Sequence, residues 1–129
     1  MGRVLSTMIL AILALFYAYG ALLHAFSITG FAGIDWSATP LRWRILDILY
    51  LVLDFAVALC LVLWPAPGVV LLWIAAAGQI LLYTILRDWT LDVPPAFLPT
   101  DAERGHLDAL VRFHIGASIA AFTALRLRR

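Results

Sequence analysis

The sequence predicts an all-α integral membrane protein: a four-helix bundle in up-down-up-down order, with both termini on the same side. Hydrophobic residues make up 64% of the 129 residues and charged residues only 13%, about half the charged fraction of ordinary soluble domains. The apolar residues form successive runs along the chain, each close to the ~20 residues that cross a bilayer. Four spans leave no room for a soluble domain, so residues 1–129 form a single transmembrane domain.

The first two predicted helices cover residues 4–27 and 40–64. The first contains no charged residue unless His24 is protonated. The second has a clear start, because Thr39 can cap it and Pro40 occupies the first helical position, where a missing N–H costs nothing. Proline and glycine at residues 65–68 then predict a tight turn, so the second and third helices are expected to be antiparallel neighbours.

The third predicted helix covers residues 68–87 and is followed by a proline-rich segment at residues 88–100. Its prolines, Pro94, Pro95 and Pro99, predict that this segment is an irregular loop. A structureless loop of this length is uncommon in compact domains unless it has a function, here as a lid or as a docking surface.

The fourth predicted helix covers residues 101–127. It begins with a capping box, in which the Glu103 side chain accepts a hydrogen bond from the Thr100 amide. It is the least apolar of the four helices, because Asp108, Arg112 and His114 interrupt it. Charged residues at membrane depth are costly, so this helix must be supported by its neighbours.

Small residues spaced four apart predict the faces on which the helices pack closely. Such rows occur at Ala14 and Ala18 in the first helix and at Gly116, Ala120 and Ala124 in the fourth. Between helices in lipid, small side chains let the two backbones approach each other.

Charge and cysteine content exclude several functions. A formal net charge of +1 with no extended basic face argues against nucleic acid as a partner. The single cysteine, Cys60, allows neither an internal disulfide nor a CxxC redox pair. The sequence also contains no phosphate-binding loop, nucleophile elbow or HExxH motif.

Arginine usage predicts the location of the protein. All nine basic residues are Arg, a pattern typical of GC-rich bacterial genomes, which favours a multi-pass protein of a bacterial inner membrane. Arg126, Arg128 and Arg129 form a basic tail that favours cytoplasmic termini under the positive-inside rule. Arg42 and Arg44, near the opposite face, oppose that orientation.

Ionisable side chains are concentrated beneath the face that carries the two longer loops. At ~1.5 Å per helical residue, Asp47 and Arg112 both lie ~10 Å below that face and His24 only ~5 Å below it. Asp54 lies deepest, near the midplane. The other polar residues of this layer are Tyr19, Gln79, Tyr83 and His114.

The charged residues of this layer need partners, because an unpaired charge within the membrane is strongly unfavourable. Asp47 and Arg112 are predicted to pair and to pin the second helix to the fourth. Alternatively, Asp108 and Arg112 pair within one helix, because they are four residues apart. Asp54 is either protonated and hydrogen-bonded to a tyrosine such as Tyr17, or charged beside water or a cation.

His24 and His114 are the candidate ligands of a single haem, because such a group needs two inward-facing histidines on different helices. A metal site near the surface, built from His24, His106, His114 and Asp47, is an alternative. The spacing of His106 and His114 does not favour one helix face, so we predict no metal site. The third interpretation is that the histidines are ordinary interfacial residues.

No catalytic arrangement is evident, so we expect a non-enzymatic protein within the lipid bilayer. It would be a subunit of a larger membrane complex, with other subunits or copies of itself, or a binder of a lipid-like molecule. One alternative is proton- or ion-coupled transport with Asp54 and Asp47 as carriers. Another is an intramembrane enzyme on an apolar substrate, with Asp47, Asp54 and His114 as acid–base groups and Arg112 holding an anionic group. The last is a haem or metal site on His24 and His114.

Overall fold

A computed structural model describes residues 1–33 and 35–128, and within them the secondary structure is helical. Four helices are long and apolar enough to cross a membrane; they are separated by shorter helical turns. In chain order the elements are α1 (Gly2–Thr29), a 3-10 turn (Trp36–Ala38), α2 (Leu41–Leu63), α3 (Pro65–Tyr83), α4 (Arg87–Leu91), a second 3-10 turn (Pro95–Phe97) and α5 (Asp101–Arg128).

The four long helices form a closed ring of neighbours. Helix α1 packs against α2 and α5, and α3 packs against the same two helices. The first turns of α1 lie beside the last turns of α5. The Ser6 hydroxyl donates a 2.8 Å hydrogen bond to the carbonyl oxygen of Ala124. At mid-height, the rings of Phe16 and Phe113 pack with their centroids 5.1 Å apart. Phe16 is halfway along α1, so Phe113 marks the middle of the bundle on α5.

The turn between α2 and α3 is tighter than the sequence predicts. Helix α3 begins at Pro65 instead of residue 68, so only Trp64 separates it from α2. The reason is that a proline is compatible with the first turn of a helix, where the backbone N–H has no intrahelical acceptor. At its other end α3 stops at Tyr83, four residues before the predicted position.

The predicted irregular loop at residues 88–100 is partly helical, and only residues 92–94 and 98–100 lack regular secondary structure. Helix α4 occupies Arg87–Leu91, and a 3-10 turn follows at Pro95–Phe97. We call residues 84–100 the connecting segment. The indole N–H of Trp43 on α2 donates to the carbonyl oxygen of Thr90 at 2.9 Å, and the Thr90 hydroxyl donates to Leu82 at 3.1 Å. These bonds hold the segment to the start of α2 and to the end of α3.

The small-residue rows pack differently from the prediction. On α5 the buried stripe is His114, Ala117, Ala121 and Ala124, whereas Gly116 is exposed and an added Cβ there would meet nothing within 4 Å. On α1, Ala14 is buried but Ala18 is exposed. The discrepancy arises because several rows of small residues run along each helix, and spacing alone does not indicate which of them faces the bundle.

Candidate functional site

A polar cluster lies where α1, α2 and the first 3-10 turn meet, and we call it the Asp47 cluster: His24, Trp36, Arg44 and Asp47. His24 Nδ1 is 2.8 Å from Asp47 Oδ1, and the Trp36 indole N–H donates to Asp47 Oδ2 at 3.1 Å. The Arg44 guanidinium lies 5.8 Å from the centre of the Trp36 ring. The side chains of His24 and Asp47 are 25% and 23% exposed. Both carboxylate oxygens of Asp47 therefore have a protein partner.

The predicted ion pair between Asp47 and Arg112 is wrong, because the two residues lie at different heights. Asp47 is level with His24, whereas Phe113, next to Arg112, is level with Phe16. His24 and Phe16 are eight residues apart on α1, a separation of ~12 Å along the helix axis. The sequence-based depth estimate missed this offset because it assumed that every helix starts at the same height.

The alternative pairing of Arg112 with Asp108 is not found either. Asp108 Oδ1 accepts a 2.9 Å hydrogen bond from Arg87 Nη1, at the start of α4. Within residues 1–33 and 35–128, Arg112 forms no ion pair. Its side chain is exposed on the outer side of α5, next to Gly116.

Asp54 is buried in the centre of the bundle, 6% exposed, and glycine makes room for it. A Cβ built on Gly20 of α1 would be only 2.6 Å from Asp54 Oδ2. The same arrangement occurs one turn away, where a Cβ on Gly78 of α3 would be 2.6 Å from the hydroxyl of Tyr50. The polar side chains of α2 therefore lie directly against the backbones of its two neighbours.

Two other buried polar atoms at this level, the Tyr17 hydroxyl and Gln79 Oε1, have no hydrogen-bond partner among the described residues. Leaving a buried polar atom without a partner is unfavourable. Tyr19, predicted to belong to the polar layer, is instead 59% exposed on the outer surface.

His24 and His114 are held separately. His114 is buried, its Nδ1 donates to the Leu110 carbonyl oxygen at 2.7 Å, and its ring packs edge-on against Tyr17 at 6.0 Å. His24 is seven residues beyond Tyr17 on α1, ~10 Å further along the helix axis. That offset is larger than the sequence indicates and works against a haem bound between the two rings.

The other proposed metal ligands are not brought together. His106 is exposed on the first turns of α5. In the part of the chain that the structure describes, no group of three or more His, Cys, Asp or Glu side chains could hold a metal ion.

Sequence reasoning missed the residues that complete the site, although some left a signal. An isolated glycine inside an apolar helix commonly marks a close approach of another group, and Gly20 and Gly78 are such residues. Arg44 was considered only for the orientation of the chain, and no motif marked Trp36, because Trp36 reaches Asp47 only through the 3-10 turn that follows α1.

No protein-family model matches the chain, and comparison with curated proteins and with solved structures found no significant match. The four long apolar helices suggest a membrane protein. Within it, the structure separates two polar features: an interior set of side chains around Asp47 and Asp54, and an exterior arginine at mid-height.

Proposed function

We propose that this chain is a non-enzymatic subunit of a membrane protein complex and that it contacts another subunit through α5. In this proposal the four long helices cross a bacterial inner membrane in up-down-up-down order, with both termini on the cytoplasmic side. The contact between Ser6 and Ala124 supports termini on one side, and the basic residues in the last turn of α5 support the cytoplasmic assignment.

The observation that carries the proposal is the exposed position of Arg112 at the middle of the bundle. A charged residue at the centre of a membrane helix costs about 2.5–3.5 kcal/mol on insertion scales. Asp108, one turn nearer the looped end, is already paired with Arg87, so Arg112 has no carboxylate of its own among residues 1–33 and 35–128. A carboxylate on a neighbouring protein would neutralise the guanidinium at its own depth.

The surface around Arg112 is suited to a helix. We call Arg112, Ile115, Gly116 and Ile119 the Arg112 face; all four are exposed. An added Cβ at Gly116 would meet nothing within 4 Å, so a second helix can approach the backbone there, as small residues allow in lipid. The expected partner is therefore a transmembrane helix with an Asp or Glu at mid-membrane depth.

A second copy of this chain does not fit the Arg112 face. The exposed acidic residues that the structure describes lie at the level of Asp108 or nearer the looped end. Two copies related by a twofold axis along the membrane normal would place two guanidinium groups together at mid-depth, where like charges repel strongly. The partner is thus a different chain.

An intramembrane enzyme is a poorer fit to the same geometry. It would need a cavity that brings an apolar substrate to Asp47, Asp54 and His114. The surface pockets beside Arg3 and Thr7 and beside Trp64 and Arg128 lie elsewhere, away from these three residues. Asp54 Oδ2 lies against the backbone of Gly20, which closes that side of the carboxylate to a substrate.

Site-specific photo-crosslinking tests the proposal in the native membrane. A photoreactive residue at position 116 is expected to crosslink to a transmembrane segment of another protein that carries an acidic residue. The matched control is position 52 on α2, where Val52 is 63% exposed outside the Arg112 face. Arg112→Asp should abolish the crosslink, and replacing the partner's acid by arginine should restore it.

Crosslinks that join two copies of this chain would overturn the proposal, and so would crosslinks to lipid alone. Equal yields at positions 116 and 52, or a crosslink unaffected by Arg112→Asp, would show that the Arg112 face is not the contact surface.

A further inference from the structure

Four polar side chains are buried in the interior of the bundle, deeper than the Asp47 cluster. They are Tyr17 of α1, Tyr50 and Asp54 of α2, and Gln79 of α3, and their exposed fractions are 3%, 5%, 6% and 6%. We call them the Asp54 site. Each is more than nine-tenths buried, so none of them is an interfacial residue.

The backbone contacts bring these side chains toward one another. Asp54 Oδ2 lies against Gly20, which is three residues after Tyr17 and therefore near it on one face of α1. The Tyr50 hydroxyl lies against Gly78, the residue before Gln79. Tyr50 and Asp54 are four residues apart and share one face of α2.

The site offers oxygen atoms that the protein itself does not satisfy. The Tyr17 hydroxyl and Gln79 Oε1 are fully buried and have no hydrogen-bond partner among the described residues. Buried polar atoms without protein partners are typically satisfied by an ordered water or an ion. A ligand of the site therefore has to interact with oxygen.

The chemical nature of the available side-chain atoms indicates which kind of cation the site would bind. All the available atoms are oxygens, which suit hard cations, whereas soft transition metals prefer sulfur or imidazole. The site contains one carboxylate, and a cation of charge +1 balances it without leaving net charge in the interior. Calcium sites usually combine several carboxylates or carbonyls.

We propose that the Asp54 site binds one sodium ion, with the Asp54 carboxylate as the charged ligand and Tyr17 and Gln79 as neutral ligands. The partly exposed Asp47 cluster, on the same faces of α1 and α2, lies between the looped end and this site. Cation binding here is also the first requirement of ion-coupled transport. The inference is independent of the Arg112 face.

Equilibrium binding of radioactive sodium to the purified full-length chain tests the proposal, with choline replacing sodium at constant ionic strength. Saturable binding of one sodium per chain is expected. Asp54→Asn should abolish it, and Tyr17→Phe should weaken it about tenfold, the effect of losing roughly 1.4 kcal/mol. Asp108→Asn is the matched control, because Asp108 is exposed and paired with Arg87; it should bind sodium normally.

Sodium binding by the wild type that does not saturate would overturn the proposal. Binding no greater than the nonspecific background would overturn it as well. Sodium binding unchanged in Asp54→Asn would do the same. If Asp54→Asn fails to fold, Tyr17→Phe and Gln79→Leu decide, since both keep the carboxylate: unchanged affinity in both refutes the site. Proton uptake at Asp54 without any sodium binding would show that the site holds a proton and not a metal cation.

Discussion

At the scale of single residues, glycine and polar side chains are matched across helix interfaces. Gly20 accommodates Asp54, and Gly78 accommodates Tyr50. The sequence predicted that Asp54 is buried near the middle of the bundle, and its 6% exposure is in agreement. Which backbone it touches depends on the rotation of each helix, and hydropathy carries little information on rotation when every face is apolar.

Gly20→Ala should therefore destabilise the protein while Gly116→Ala should not. The new methyl group at position 20 would lie 2.6 Å from Asp54 Oδ2, and overpacking of this kind costs about 1–3 kcal/mol. Alanine is the better helix former by about 1 kcal/mol at both positions, so the net cost at position 20 is up to about 2 kcal/mol. At position 116 the methyl group meets nothing within 4 Å. The free energy of unfolding in detergent micelles measures both; equal effects would contradict the packing around Asp54.

Asp35 provides a prediction of pH dependence outside the helices. Its carboxylate accepts hydrogen bonds from the Ser37 hydroxyl at 2.6 Å and from the Ser37 amide at 3.1 Å, and they hold its pKa below the ordinary value of 3.8. Because the pKa is lower in the folded state, this stabilisation of the 3-10 turn is present at neutral pH. It is lost as the pH falls through the pKa of the folded carboxyl group.

Ser37→Ala should raise the pKa of Asp35 toward 3.8, as followed by the carboxyl carbon signal in an NMR titration. Ser118→Ala, a serine change on α5, should leave the titration as in the wild type. An unchanged titration curve in Ser37→Ala would show that Ser37 does not lower the pKa of Asp35.

At the scale of helices and connections, the clearest signal in the sequence is the start of α5. The capping box of α5 is confirmed: the Thr100 amide donates to Glu103 Oε2 at 2.7 Å, and the Glu103 amide donates to Thr100 Oγ1 at 3.3 Å. Helix α4 was missed because five residues are too few to show a helical period. Its order depends on contacts with α2, which only the folded chain provides.

Trp43→Phe should loosen the connecting segment without unfolding the bundle. The change removes the hydrogen bond to Thr90, and a single hydrogen bond of this kind contributes about 0.5–1.5 kcal/mol. Amide hydrogen exchange should become faster in α4 and remain as in the wild type in α1 and α5. Trp64→Phe is the control, because Trp64 is 58% exposed at the far end of α2. Protection of α4 that survives Trp43→Phe would mean that other contacts order the segment.

At the scale of the whole molecule, polar residues of opposite kinds occupy opposite sides of α5. His114 faces the interior, near Tyr17, and Arg112 faces outward at nearly the same height. The apolar composition of the helix and the predicted depth of these two residues indicated that both are unusual in a membrane helix. They could not predict that Arg112 faces away from Asp47, because that depends on the relative height and rotation of α2 and α5. In the proposed complex, a carboxylate of another chain neutralises this outward arginine, because residues 1–33 and 35–128 provide no ion pair for it.

Native mass spectrometry of the protein gently extracted from its own membrane tests this central claim most directly. The wild type should retain a second, different polypeptide in addition to its own 14.3 kDa, and Arg112→Leu should release the chain as a monomer. A wild-type chain that is found alone, or only with copies of itself, would contradict the claim that α5 contacts another subunit.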